Sequence, residues 1–190
     1  MAAARPPAEP TDAVALAVVG DSISEADSYD FSAGVLGQGS WVSHAIGDGV
    51  RFAGGWAVSG ALTSQMARGA RAVAADVLVV LAGTNDVASG LPFESCAVNL
   101  RSIVGTVGAP RVVVSSIPPI DFAPSFATTF NERLRELAGE AGWEFVDAMA
   151  GIRDGDGRFA PRMSFDGVHP TVDAARVIGG AVRAHVVGPG

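Results

Sequence analysis

A chain of 190 residues suffices for one domain with a substantial core and hardly for two. Its 48% apolar and 17% charged residues exclude a disordered protein. A formal charge of -7, with no run of Lys or Arg, excludes nucleic acid and anionic membrane surfaces as electrostatic partners.

Met1 to Asp12 holds Pro6, Pro7 and Pro10 but no apolar core of signal-peptide length. It reads as a loose leader, residues 1–12, ahead of a single domain over 13–187. No stretch approaches roughly 18 unbroken apolar residues, so stable membrane insertion is not expected. The chain as it stands reads as cytoplasmic, and a secreted or cell-envelope protein trimmed of its signal would read alike. Cys96 is the only cysteine, which excludes an intrachain disulfide. Beside Ala97 and Leu100 on a predicted helix, it is expected as a buried structural thiol rather than a nucleophile.

The valine-rich run Ala13 to Val19, ended by Gly20, has the character of a buried strand. Ser22 then falls just past a strand's carboxyl end, the edge at which open parallel sheets bind ligands. A polar loop with Gly34, Gly37 and Gly39 follows. These glycines resemble a phosphate-binding loop only weakly, since no lysine follows and they do not join a strand to a helix. Ser40 is placed to cap a helix bearing Trp41, Val42, Ala45 and Ile46. A second strand is predicted over Val50 to Val58. Thr63 or Ser64 then caps a helix with Met66, Ala70 and Val73 at helical spacing. Asp76 to Leu81 is a strand running into Gly83-Thr84-Asn85-Asp86, and a helix covers about Pro92 to Val107. Arg111 to Ile117 is a strand stopped by Pro118-Pro119. An amphipathic helix carries Phe126, Phe130, Leu134, Leu137 and Ala141 on one side, and a short strand covers Trp143 to Val146. After a turn-rich loop through Phe165, Thr171 begins a last helix bearing Ala174, Val177, Ile178, Ala181 and Val182. Five strands alternating with five helices predict an α/β fold, a parallel sheet covered on both faces.

Three junctions between strand and loop carry small or amide residues, Ser22, Gly60 and Asn85, and a fourth segment reads Asp166-Gly167-Val168-His169-Pro170. Ester hydrolysis by serine needs a base within reach of the hydroxyl, a group to orient that base, and donors aimed at the developing oxyanion. His169 is the candidate base and Asp166, three residues earlier, its orienting acid. The backbone N–H groups of Ser22 and Gly60 and the side-chain amide of Asn85 are candidate oxyanion donors. Each of these features has a blander reading when taken alone, as a surface turn or an Asx-turn. Their co-occurrence in this order points to a serine hydrolase. The chain has no Gly-x-Ser-x-Gly elbow of the α/β-hydrolase kind. His44, His169 and His185 are far apart and no His-Glu-x-x-His occurs, which argues against metal hydrolysis, and His185 falls near an expected frayed end. Asp154-Gly155-Asp156-Gly157 resembles the start of a calcium loop but lacks its closing glutamate, and reads as a hairpin or turn.

The blocks Gly20-Asp21-Ser22, Gly60, Gly83-Thr84-Asn85-Asp86 and Asp166-Gly167-Val168-His169-Pro170 resemble the signature blocks of the SGNH hydrolases, the GDSL-type esterases and lipases, across about residues 15 to 183. Members often read Asn-x-Gly-x-Ser-Gly at the second block, whereas Gly55, Trp56, Ala57, Val58 and Ser59 precede Gly60 here. The resemblance implies a flavodoxin-like, three-layer α/β/α sandwich with a five-stranded parallel sheet. It implies Ser22 as nucleophile, His169 as base, Asp166 as its acid, and Ser22, Gly60 and Asn85 as oxyanion donors, with no metal and no cofactor. Members act on esters and thioesters. Leu91, Ile120 and Phe122 are expected to form an apolar lip near Ser22, and no insertion is long enough for a lid. Short acyl esters of a small-molecule or carbohydrate alcohol, acetyl above all, are therefore the expected substrates. An acyltransferase or thioesterase with the same triad, and a binding module without turnover, are the alternatives.

Overall fold

The computed structural model describes residues 13–47 and 49–188, so the expected leader lies outside the described residues. Five strands are present: β1 (Val14–Gly20), β2 (Val50–Ala57), β3 (Val77–Leu81), β4 (Arg111–Ser115) and β5 (Glu144–Val146). The helices are α1 (Ser22–Glu25), α2 (Trp41–Ala45), α3 (Thr63–Gly69), α4 (Thr84–Ala88), α5 (Phe93–Val107), α6 (Pro124–Ala141) and α7 (Val172–Val187). Every strand pair is parallel and the order is β2-β1-β3-β4-β5. This is the flavodoxin-like order, whose winding reverses between β1 and β3 and opens a crevice at their carboxyl ends.

The two-residue period of the strands sorts side chains between two cores. Leu16, Val18, Val77, Val79, Leu81 and Val113 meet Trp41, Ile178 and Val182 on one face. Ala17, Val19, Leu78, Val80 and Val114 meet Met66, Leu100, Ile103 and Leu134 on the other. Thus α2 and α7 cover one side and α3, α5 and α6 the opposite one, giving three α/β/α layers. All five residues of β3 are buried. Each such Leu or Val contributes about 1.5–3 kcal/mol relative to exposure, which fixes the middle of the sheet.

Two helices go beyond the predicted five. α1 and α4 span 4 and 5 residues and each occupies the turn after a strand; α2 is as short as α4 but is announced by its Ser40 cap and by Trp41, Val42 and Ala45. α3 also differs from its predicted extent, ending at Gly69 short of Ala70 and Val73. The Arg71 guanidinium folds back and donates to the carbonyls of Arg68, Gly69 and Ala70 at 2.8, 3.0 and 2.7 Å, satisfying the helix end. Its N-cap is Leu62 rather than Thr63 or Ser64. Gln65 Oε1 accepts the Leu62 N–H at 2.9 Å, while Thr63 turns inward to Asp86. The end of α7 is clamped rather than frayed. Arg111 donates to the carbonyls of His185 and Val186 and pairs with Glu144, whose other oxygen lies 2.8 Å from His185 Nε2. Among the described residues, no helix is long and apolar enough to cross a membrane.

Candidate active site

The chain leaves β1 at Gly20 and turns at Asp21, whose Oδ1 accepts the Ile23 N–H at 3.0 Å and so starts α1 at Ser22. Ser22 Oγ lies 3.1 Å from Nε2 of His169, and His169 Nδ1 lies 2.6 Å from Asp166 Oδ2. With the Nδ1 proton donated to the carboxylate, the Nε2 lone pair is left to accept from the serine hydroxyl. The loop before α7 is built to hold this geometry. Asp166 Oδ1 accepts the N–H groups of Val168 and His169 at 2.9 and 2.7 Å, and Ser164 Oγ donates to the His169 carbonyl at 2.7 Å. Burial pushes the Asp166 carboxyl up, but hydrogen bonds from the His169 N–H, its imidazole and the Val168 N–H outweigh burial and hold it at about 2. The group beside the imidazole is therefore a carboxylate throughout the neutral range.

Gly60 is exposed in the loop after β2 with φ +73°, a left-handed conformation that disfavours any side chain, and open space lies where a Cβ would stand. Its neighbour Ser59 donates its N–H to the Glu25 carboxylate of α1, tying this loop to the helix that carries Ser22. Asn85, on α4, donates from Nδ2 to the Ala61 carbonyl at 3.0 Å and to Asp21 Oδ2 at 3.4 Å. The structure thus joins Ser22, His169 and Asp166 in one line of contacts and ties Asn85 to the immediate neighbours of Gly60 and Ser22. The Asn85 amide is engaged with protein acceptors as it stands.

Two carboxyls lie beneath this surface, Asp21 and Asp86, with 0% and 1% of their area exposed. Burial pushes Asp21 up to about 7, against the lowering effect of the Ile23 N–H. Asp86 accepts from Thr63 N, Thr63 Oγ1 and, at 3.2 Å, from the Cys96 thiol. Burial and then that hydrogen bond push the thiol up to about 12, so Cys96 is an inert core group.

A cavity of about 660 Å³ opens over the Ser22–His169 contact. Leu91, Ile120 and Phe122 do not border it. They line a separate cavity of about 410 Å³, with Ile120 fully buried, because the 118–123 segment packs toward α6. The apolar wall beside Ser22 and His169 is made instead by Phe165, Pro170 and Val172. Phe165 is 73% exposed and its ring lies nearly parallel to the His169 imidazole, 10° apart in plane and 6.0 Å between centroids.

A model of the GDSL-like Lipase/Acylhydrolase family matches residues 18–177, from the end of β1 into α7. The chain belongs to this family. Solved structures of GDSL proteins share its fold. A catalytic mutant of an acetylxylan esterase from Geobacillus stearothermophilus superposes with a TM-score of 0.72 at 17% identity, covering 93% of this chain and 95% of that one. A GDSL-like lipase from Bacteroides thetaiotaomicron gives 0.69 at 20% identity, covering 90% and 86%. A member of the lipolytic G-D-S-L family from Veillonella parvula gives 0.68 at 19% identity, covering 93% and 98%. At these identities the likeness is one of fold. No curated protein matches the sequence.

Within this GDSL frame, three residues near Ser22 carry no sequence signal of their own: Glu25, Asp27 and Phe165. A pattern of glycines around Asp27 is the one hint, since Gly37 and Gly39 close on its side chain. Asp154 Oδ1 accepts the N–H groups of Asp156 and Arg158, both at 2.9 Å, and Arg153 bridges Phe159, so that segment is a side-chain-stabilised hairpin turn. Among the described residues, no group of three or more His, Cys, Asp or Glu is arranged to hold a metal ion.

Proposed function

We propose that this GDSL-family protein is a serine esterase that hydrolyses short-chain carboxylic esters, acetyl esters of sugars or alcohols, through an acyl-enzyme on Ser22. The observation that carries the reading is the line of contacts from Ser22 Oγ to His169 Nε2 at 3.1 Å and from His169 Nδ1 to Asp166 at 2.6 Å. Ser22 Oγ attacks the carbonyl carbon as its proton passes to Nε2. Collapse of the tetrahedral intermediate breaks the bond to the alkoxy oxygen, which leaves as the alcohol with that proton. Water then attacks the acyl-enzyme, giving its proton to Nε2, and the acid departs as the proton returns to Ser22 Oγ. The charge that develops on the carbonyl oxygen is met by the N–H groups of Ser22 and Gly60 and by Asn85, whose longer contact, to Asp21, is the one released.

Two further points support this reading. The similar solved structures include three catalytic mutants of the acetylxylan esterase, replacing a serine, an aspartate and a histidine, the last two three positions apart. Asp166 and His169 have the same spacing. Leu91, Ile120 and Phe122, the residues that could have extended an apolar surface for a longer acyl chain, belong to the other cavity.

Hydrolysis of p-nitrophenyl acetate tests the proposal, with wild type beside Ser22→Ala and His169→Ala, each checked for folding by circular dichroism. Each substitution is expected to lower kcat/KM by on the order of 10³ or more. Wild-type rates in the Ser22→Ala protein would overturn the assignment. Run across acyl lengths, the same assay is expected to be fastest at acetyl, and a maximum among long-chain esters would overturn the short-chain reading.

A further inference from the structure

We infer that Phe165 and Asp27, which both line the cavity over Ser22, form a binding site for the alcohol part of the ester, and that this part is an uncharged sugar ring rather than a simple alkyl or anionic group. The inference rests on the esterase reading of Ser22 and His169 and names the substrate class of that same site.

Asp27 is the less obvious half. The chain reaches it through Ala26, whose φ of 43° is one of two left-handed non-glycine conformations among the described residues. Such strain persists only where its surroundings impose it, and it marks functional turns more often than inert ones. Beyond the turn, the 37–39 backbone closes around the Asp27 side chain, and Gly39 N–H donates to Asp27 Oδ1 at 2.7 Å. A Cβ on Gly37 would stand 2.0 Å from that same oxygen and 2.5 Å from the Asp27 backbone carbon, so only glycine permits the approach. Two of the three glycines that weakly resemble a phosphate loop, Gly37 and Gly39, therefore clasp a carboxylate. One carboxylate oxygen is fixed by the backbone, and among the described residues no protein donor reaches the other. The residue lines the cavity over Ser22, so it offers an acceptor to an ester bound there. A fixed carboxylate there, with the ionised Asp166 also on the lining, repels anionic ligands and receives hydroxyl groups.

The other half of the proposed site is apolar. Phe165 presents a largely exposed ring, with Pro170 and Val172 beside it. An exposed phenyl ring held nearly parallel to the imidazole offers a flat face next to the reacting bond. A pyranose matches both halves at once, since its C–H face packs on an aromatic ring while its hydroxyls project from the edge toward an acceptor. An alkyl alcohol would leave the Asp27 oxygen without a partner, at the cost of its lost hydration. A cavity of about 660 Å³ also exceeds what an acetyl group and a small alcohol would fill.

Three acetates separate the two halves of the site: ethyl acetate, cyclohexyl acetate and a mono-O-acetylated methyl pyranoside, with kcat/KM compared as ratios within each protein. Phe165→Ala is expected to lower the cyclohexyl-to-ethyl and pyranoside-to-ethyl ratios about tenfold, and Phe165→Trp to restore both. Asp27→Asn is expected to lower the pyranoside-to-cyclohexyl and pyranoside-to-ethyl ratios, again about tenfold and chiefly through KM, and to leave the cyclohexyl-to-ethyl ratio unchanged. Binding of the unacetylated methyl pyranoside to Ser22→Ala protein, followed by ligand-observed NMR, gives a readout independent of turnover and should weaken in both variant backgrounds. Equal loss on all three esters in Phe165→Ala, which would mean that the ring merely supports His169, overturns the inference. So does undiminished pyranoside binding in both variants. If no ester is cleaved yet the pyranoside binds and both substitutions weaken it, the esterase reading fails and the sugar site stands.

Discussion

Asp21 is a carboxyl whose surroundings favour its neutral form. It has no exposed area, its donors are the N–H groups of Ile23 and of Asp21 itself and a long contact from Asn85, and burial outweighs them and raises it to about 7. In the unfolded chain the same group loses its proton near the ordinary value of 3.8. Between those two points the folded protein holds a proton that the unfolded one lacks, so stability falls as pH rises through about 4 to 7. The contribution is on the order of a few kcal/mol across that window. Asp166 has the opposite sign, since its stabilisation is complete above about pH 4 and is lost as pH falls toward 2. Urea unfolding of wild type and Asp21→Asn across pH 4 to 7 separates the two. The substitution keeps an acceptor for the Ile23 N–H and is expected to add a constant offset while removing the downward slope. Identical slopes in the two proteins would show that Asp21 is ionised in the fold.

At the scale of elements, the contact that matters most for His169 is that of α2 with α7, because α7 begins three residues beyond it, at Val172. A Cβ on Gly179 would stand 2.4 Å from the Trp41 carbonyl oxygen and 2.9 Å from the Ala45 nitrogen, both backbone atoms of α2, whereas nothing lies within 4 Å of one on Gly180. Helix propensity alone favours alanine at both positions by about 1 kcal/mol. Gly180→Ala is expected to stabilise by about 0.5–1 kcal/mol, and Gly179→Ala to destabilise by about 1–3 kcal/mol while slowing ester hydrolysis, as the two helices are forced apart. Thermal and urea midpoints that rise for both variants would refute the close packing. The same scale shows what was legible in the chain. The five strands announce themselves as short apolar runs and five of the helices through caps and helical spacing, and their ends shift by a few residues where a side chain such as Arg71 intervenes. α1 and α4 are short turns of helix directly after a strand, with no apolar repeat to mark them. The Ser22, Asn85 and Asp166-to-His169 blocks are local enough to be seen as patterns. Asp27 is not, because what orients it is a backbone N–H twelve residues on, and Phe165 looks like any loop aromatic until its exposure and its angle to the imidazole are known.

For the molecule as a whole, the sheet order places β1 and β3 side by side in the middle, and the turns that follow them bring Ser22 and Asn85 to one edge. The loop before α7 then returns to that edge from the far end of the chain, so that Ser22 and His169 meet across a separation of 147 residues. Such a contact has a temporal meaning. Ser22 leaves the ribosome well before His169, so under the proposed mechanism a nascent chain that displays Ser22 without His169 has nothing to activate it. In refolding from urea, helical ellipticity is expected to return before esterase turnover, since local helices form ahead of so distant a pairing. Turnover reappearing in step with the earliest ellipticity change would contradict this. With its two partners 147 residues apart, the proposed activity becomes a report that the segment between them has been made and folded as one unit, and the Ser22 hydroxyl stays unactivated until then.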